Sequence, residues 1–159
     1  MNTAQDDATV DARRRAWAAA DALYTGDAAS RALGIELLDT APGSVRVAMT
    51  VRADMVNGHG ICHGGILFTL ADSAFAFACN SHGEPMVAAG ASIEFLAPVP
   101  KGARITATAT ETSRTSRGGI YDVVVARETG EPLAYFRGRC ARLRIPAQPT
   151  QPLPKDDPK

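Results

Sequence analysis

Asn57-Gly58-His59-Gly60-Ile61-Cys62-His63-Gly64-Gly65 is a loop with four glycines, and it runs straight into Ile66-Leu67-Phe68-Thr69-Leu70-Ala71-Asp72-Ser73-Ala74-Phe75-Ala76-Phe77-Ala78-Cys79-Asn80. The second run predicts a helix over residues 63–80. Its apolar residues lie on almost every side, so it belongs inside the molecule, wrapped by a sheet, and not on the surface. Thr69, Asp72 and Ser73 form its one polar stripe, at i, i+3 and i+4, with Asn80 near the same line two turns on.

Outward from this helix the sequence reads as strands. Upstream, residues 32–39 and 44–51 flank the turn Ala41-Pro42-Gly43, and Val45, Val47 and Met49 alternate with Ser44, Arg46, Ala48 and Thr50. Residues 9–25 come before them as a helix, with Val10, Trp17, Ala20 and Tyr24 near helical spacing and Gly26 as a stop. Downstream lie four strand-like stretches, at 87–96, 104–113, 119–127 and 133–144. They are separated by Pro98-Val99-Pro100-Lys101-Gly102, Arg117-Gly118-Gly119 and Thr129-Gly130-Glu131-Pro132. Helix, two strands, buried helix, four strands is an α+β order with a six-stranded antiparallel sheet. The division expected is 1–29 for the N-terminal helix and arm, 30–146 for the globular domain, and 147–159 for a proline-rich, polar, disordered tail. One helix cannot cover both faces of such a sheet, and the strands carry apolar residues on both faces, as in Tyr121, Val123 and Val125 against Val124 and Ala126. A homo-oligomer is therefore expected.

The chain has 159 residues, 45% of them hydrophobic, with 17 basic and 17 acidic side chains. That is enough for one domain with a core. A net charge near zero gives no electrostatic case for nucleic-acid or membrane binding, and no apolar run reaches the roughly 18 residues of a membrane span. Arg13–Arg15 before an alanine-rich run resembles a signal sequence, but Asp6, Asp7, Asp11 and Asp21 argue for an amphipathic helix. Cys62, Cys79 and Cys140 are odd in number and lack CxxC spacing, as expected of reduced thiols in a cytoplasmic protein.

Two features carry chemistry. Asp72 sits in apolar surroundings, where a carboxylate is costly to bury unless paired. It either faces solvent or caps a local group, or it is a desolvated, reactive acid at the edge of a site. The glycines before the helix are either a tight turn or a place where unsatisfied N–H groups hold an anion or oxyanion, with Gly64 and Gly65 letting a carbonyl approach the backbone. The loop is not a phosphate-binding GxxxxGK[ST]. His59, Cys62 and His63 lack a second ligand cluster for zinc, apart from the isolated His82. Adjacent Cys62 and His63 are poorly placed as a nucleophile and base, and no GxSxG elbow is present. Arg114, Arg117, Arg137, Arg139, Arg142 and Arg144 form either a solvated face or a patch for phosphates. Arg114 and Arg117 are the candidates for substrate contact.

The run from Asn57 to Ser81, together with Ile93-Glu94-Phe95-Leu96, Gly119-Ile120-Tyr121-Asp122-Val123 and Phe136-Arg137-Gly138, resembles the PaaI-type phenylacetate-degradation branch of the 4-hydroxybenzoyl-CoA thioesterase superfamily. The resemblance spans most of the chain except the N-terminal helix and the tail. It implies a hotdog fold, dimers that pair into a tetramer, and sites at the dimer interface. It implies hydrolysis of aryl-acetyl-CoA thioesters such as phenylacetyl-CoA, with no cofactor, since CoA is part of the substrate. Matched by position, Asp72 is the acidic catalytic residue and Gly64 the backbone donor to the thioester carbonyl, with Gly65 its neighbour. Asn57 and His63 line the reacting centre. Related subfamilies carry a water-positioning hydroxyl on the strand after the helix. The stretch here reads Val87-Ala88-Ala89-Gly90-Ala91-Ser92, and Ser92 cannot be given that role. Walls for the acyl group are expected from Ile61, Ile66, Phe68, Phe75 and Phe77. A hotdog hydratase or dehydratase would need a differently set aspartate–histidine pair. A non-catalytic acyl-CoA-binding regulator is the other alternative.

Overall fold

The computed structural model describes residues 3–143. The expected tail, 147–159, lies outside the described residues. Helices α1 (Thr3–Gly26) and α2 (Ala28–Ala32) lead into strands β1 (Glu36–Ala41) and β2 (Ser44–Thr50). A short 3-10 turn, Ala53–Met55, precedes helix α3 (Gly64–Asn80), and β3 (Met86–Phe95), β4 (Arg104–Thr115), β5 (Gly118–Arg127) and β6 (Pro132–Arg142) complete the order. All six strands join one antiparallel sheet in the order β1-β2-β4-β5-β6-β3. The sheet wraps α3, which touches every strand from β2 to β6.

The strand alternation explains how the core is filled. Val45, Val47 and Met49 of β2, Ile105, Ala107 and Ala109 of β4, and Tyr121, Val123 and Val125 of β5 are buried in the same core as Leu70, Ala74, Phe75 and Phe77 of α3. Phe75 packs between Tyr121 and Phe136, with ring centroids 5.7 and 5.9 Å away. Gly138 of β6 lies directly beneath it: a Cβ there would meet the Phe75 ring at 2.9 Å. The sheet curls closely enough around α3 only because this position has no side chain.

Four sequence expectations are corrected. The strand expected over 32–39 starts later and runs further: Ala32 ends a helix that begins at Ala28, and β1 spans Glu36–Ala41. Asp27 caps this short helix by accepting the N–H of Ser30, and the Ala-Ala-Ser-Arg-Ala run favours helix over strand. Gly118 is not in the turn but opens β5, one residue before the expected start at 119, and the turn is Ser116-Arg117. At Gly118 a Cβ would stand 2.2 Å from the Cys140 carbonyl oxygen, so this glycine permits close strand approach. On α1, Ala16 and Ala20 are buried and Tyr24 is half-buried, whereas Val10 and Trp17 are exposed. Phe75 and Phe77 are fully buried core residues, so neither is an acyl wall.

The edge strand β3 departs from the alternation. From Val87 to Ser92 every residue is exposed, on both faces, although Val, Ala and Gly dominate the segment. One edge of β3 pairs with β6. The opposite edge has no partner strand among the described residues.

Candidate active site

The glycine loop is held by backbone pairing and not by bulk. Asn57 donates to the Ile61 carbonyl at 2.8 Å, Gly60 donates to the Asn57 carbonyl at 2.9 Å, and His59 N–H donates to Asn57 Oδ1 at 2.9 Å. Gly60 takes a φ of 73°, in the left-handed region where glycine is at ease. Cys62 N–H reaches the Val99 carbonyl at 2.7 Å and His63 N–H the Met55 carbonyl at 2.8 Å, which fixes where α3 begins.

At that start the first backbone donors are almost all used. His63 is the N-cap: its Nδ1 accepts Gly65 N–H at 2.9 Å, and its carbonyl accepts the N–H groups of Ile66 at 2.9 Å and Leu67 at 3.3 Å. Gly64 occupies the first helical position, whose N–H has no intrahelical acceptor. Gly64 borders an open cavity of about 350 Å³ with Asn57, Ile61, Leu67, Phe95 and Val99. The result is one donor without an intrahelical acceptor, at the positive end of a buried helix dipole and beside a largely apolar recess. That geometry suits a carbonyl oxygen that gains negative charge.

Asp72 lies two turns further along α3. Eight residues at about 1.5 Å rise put it about 12 Å from Gly64 along the axis, and it does not line the cavity. It is half-buried, and its proton affinity is raised, first by desolvation and then by the negative charge of Asp27. No cation pairs with it among the described residues. Its stripe companions have structural tasks. Thr69 Oγ1 donates back to the Gly65 carbonyl, Ser73 bonds Ser30, and Asn80 Nδ2 donates to the Ala76 and Met86 carbonyls while its Oδ1 accepts Met86 N–H.

The remaining candidates fall elsewhere. Phe68 is half-buried, edge-on to Phe136 at 5.2 Å, and is not part of the cavity wall. Arg114 is paired with Glu84 at 3.0 Å, and Arg117 sits in the β4–β5 turn. Both stand at the C-terminal end of α3, the end away from Gly64, as the pairings of Gly118 with Ala141 and Met86 with Arg142 fix. Gly65 is exposed but spends its N–H on His63. Among the described residues, no group of three or more His, Cys, Asp or Glu is gathered as metal ligands would be. Burial pushes the Cys62 thiol up to about 11, which makes it a poor nucleophile at neutral pH. Sequence reading missed Phe95 and Val99 as cavity walls. Their strand and turn positions gave no sign that they would meet the helix start.

A sheet wrapped around one buried helix defines a hotdog α+β fold, and solved structures agree. The structure of the Escherichia coli PaaI protein from the phenylacetic acid degradation operon superposes with a TM-score of 0.82 at 43% identity, covering 84% of this chain and 96% of that one. A variant of the phenylacetic acid degradation protein PaaI of Thermus thermophilus does so at 0.71 and 44% identity, covering 74% of this chain and all of that one. In sequence, the acyl-coenzyme A thioesterase PaaI of E. coli is 44% identical over 129 residues, 81% of this chain and 92% of that protein. The family profile described as thioesterase superfamily matches residues 59–134. The chain belongs to the thioesterase superfamily, and it is a thioester hydrolase. No helix among its described residues is long and apolar enough to cross a membrane.

Proposed function

We propose that this enzyme hydrolyses acyl-CoA thioesters, with aryl-acetyl-CoA, phenylacetyl-CoA or a ring-hydroxylated form as its best substrates, at a site shared between two copies of the chain. The observation that carries the reading is the single open N–H of Gly64 at the mouth of an apolar cavity. The thioester carbonyl accepts from Gly64. Asp72 either takes a proton from a water that adds to the carbonyl carbon, or adds to that carbon itself to give an anhydride that water then cleaves. In both routes the tetrahedral oxyanion rests on the Gly64 N–H, worth about 3 kcal/mol by the effect of deleting one such donor, and collapse expels the CoA thiolate. Raised proton affinity suits Asp72 to the base role.

The separation of about 12 Å along one helix keeps Gly64 and Asp72 of one chain off the same carbonyl. A second copy supplies the missing partner in this reading. The exposed, apolar, unpaired edge of β3 is the surface that favours it, since such an edge invites pairing with another strand. In a tetramer of two such dimers Arg117, or Arg114 on leaving Glu84, would approach a partner's substrate. Light scattering at micromolar concentration checks this, and a fully active monomer overturns the shared site. The reaction needs no metal or organic cofactor in this scheme, so turnover should survive exhaustive chelation. The substrate class and the buried, unpaired thiols fit a cytoplasmic enzyme.

Substrate choice follows from the cavity. Ile61, Leu67, Phe95 and Val99 give it an apolar lining, where an aromatic ring gains contacts beyond area burial. The E. coli relative's place in a phenylacetic acid degradation operon points the same way. The test is kcat/KM for acetyl-, hexanoyl-, palmitoyl-, benzoyl- and phenylacetyl-CoA, with Asp72→Asn as control. Phenylacetyl-CoA should rank first. Palmitoyl-CoA as the best substrate overturns the aryl pocket, and full activity of Asp72→Asn overturns the chemistry.

A further inference from the structure

A buried polar thread joins the N-terminal helices to the middle of α3. Asp27, the cap of α2, accepts Ser30 N–H through Oδ1 at 3.0 Å and the Ser30 hydroxyl through Oδ2 at 2.5 Å. With its proton committed to Asp27, Ser30 Oγ can only accept from its next neighbour, Ser73 Oγ, at 2.8 Å. Both serines are buried, at 1% and 7% exposure. Hydroxyls so placed are costly unless bonded, so the thread ties α2 to α3 at one rotational setting. Ser73 directly follows Asp72, so the thread holds the rotational setting of α3 at the residue that bears the carboxylate. Of the titratable groups on the elements packed against α3, namely α1, α2 and strands β2 to β6, Asp27 at the α1–α2 junction is the one whose charge acts on Asp72.

We infer that Asp27 is a positioning residue for Asp72, acting through the Ser30–Ser73 hydrogen bond and through its own negative charge. This rests on the reading of Asp72 as the acid–base or nucleophilic group. It gives the N-terminal segment, which lies outside the 59–134 family match, a part in the reaction.

Two kinds of variant separate charge from tether. Asp27→Asn keeps an oxygen to cap α2 and an amide that donates to Ser30, so the thread survives with its donors reversed and the charge gone. Ser73→Ala and Ser30→Ala cut the thread and keep the charge. The measurement is kcat and KM against pH for each, with circular dichroism confirming the fold. Asp27→Asn should move the acid limb of the kcat profile to lower pH, as removal of a neighbouring negative charge requires. Ser73→Ala should lower kcat about 10-fold or more at unchanged KM, since small misplacements of a reacting group are costly, and Ser73→Thr should restore it. Should Ser73→Ala fail to fold, Ser30→Ala carries the same expectation. An Asp27→Asn profile superimposed on wild type, or serine variants with unchanged kcat, overturns the inference while Asp72→Asn remains inactive. An active Asp72→Asn overturns the underlying reading as well.

Discussion

His63 Nδ1 accepts the N–H of Gly65 at 2.9 Å, while the adjacent Gly64 N–H is left without an acceptor in its own helix. Two neighbouring donors, chemically identical, are thus given different tasks by one side chain. Removing the cap should cost stability and turnover together. His63→Ala should destabilise the protein by about 1 kcal/mol and lower kcat, because Gly65 N–H then competes for the carbonyl in the wrong place. His63→Asn, which can still cap, should recover most of the stability. Urea midpoints and turnover on one substrate check both halves.

Gly64→Ala keeps the backbone N–H and tests access to it. The new Cβ would lie 3.1 Å from the Phe95 ring. Phe95 is 52% exposed and can swing outward, so the fold should hold. The methyl group, however, stands where the substrate carbonyl must approach. kcat/KM should fall by about 100-fold if the methyl group holds the carbonyl off the N–H, since losing one such donor costs about that much, with an unchanged melting temperature. Wild-type turnover would remove Gly64 from the mechanism.

Asp72 should exchange stability for function. Burial and Asp27 raise its proton affinity in the folded state, so the folded protein holds this proton more tightly than the unfolded chain. The stabilisation from this group is therefore complete below the unfolded pKa and is lost as pH rises through the folded one. At neutral pH the ionised group is a net burden. Asp72→Asn should be more stable than wild type at pH 7, with the gain vanishing toward acid pH, while kcat drops by about 100-fold or more. Thermal unfolding of both proteins across pH is the check.

The sequence made the centre of the molecule legible and its borders less so. The apolar α3 and the alternating β2 and β5 could be read because burial imposes a period on them. The helix start was legible from its glycines. The short helix over 28–32 was missed, and Ala32 placed in a strand, because a short alanine-rich run has no period of its own, and what decides it is the Asp27 cap, a single side-chain hydrogen bond. Gly118 was misread because a glycine serving close strand approach looks, in sequence, like one serving a turn. Asp72 could be picked out as an acid among apolar residues. That Asp27, 45 positions earlier, acts on it depends on tertiary packing that no local pattern records. Arg114 was plausible by charge alone, and its pairing with Glu84 again comes from distant segments, the loop after α3 and the end of β4, meeting in space.

The fit of Gly138 against the Phe75 ring yields the last expectation. The Cβ of an alanine at position 138 would lie 2.9 Å from three atoms of the Phe75 ring, nearer than real Cβ contacts come. Phe75 is fully buried between Tyr121 and Phe136, so the ring cannot retreat without moving its neighbours, and β6 is held by β5 and β3 on either side. Overpacking of this kind costs about 1–3 kcal/mol. Gly138→Ala should lower the urea midpoint accordingly at unchanged m-value, and Gly138→Val should lower it further. Gly58→Ala is the control, since a Cβ there meets nothing within 4 Å, and it should be close to neutral. A smaller ring-free partner relieves the clash: Phe75→Leu is destabilising alone, but combined with Gly138→Ala the total loss should be clearly less than the sum, a coupling expected only of groups in direct contact. Strict additivity of the two changes would mean that Gly138 is not what lets the sheet close on the helix.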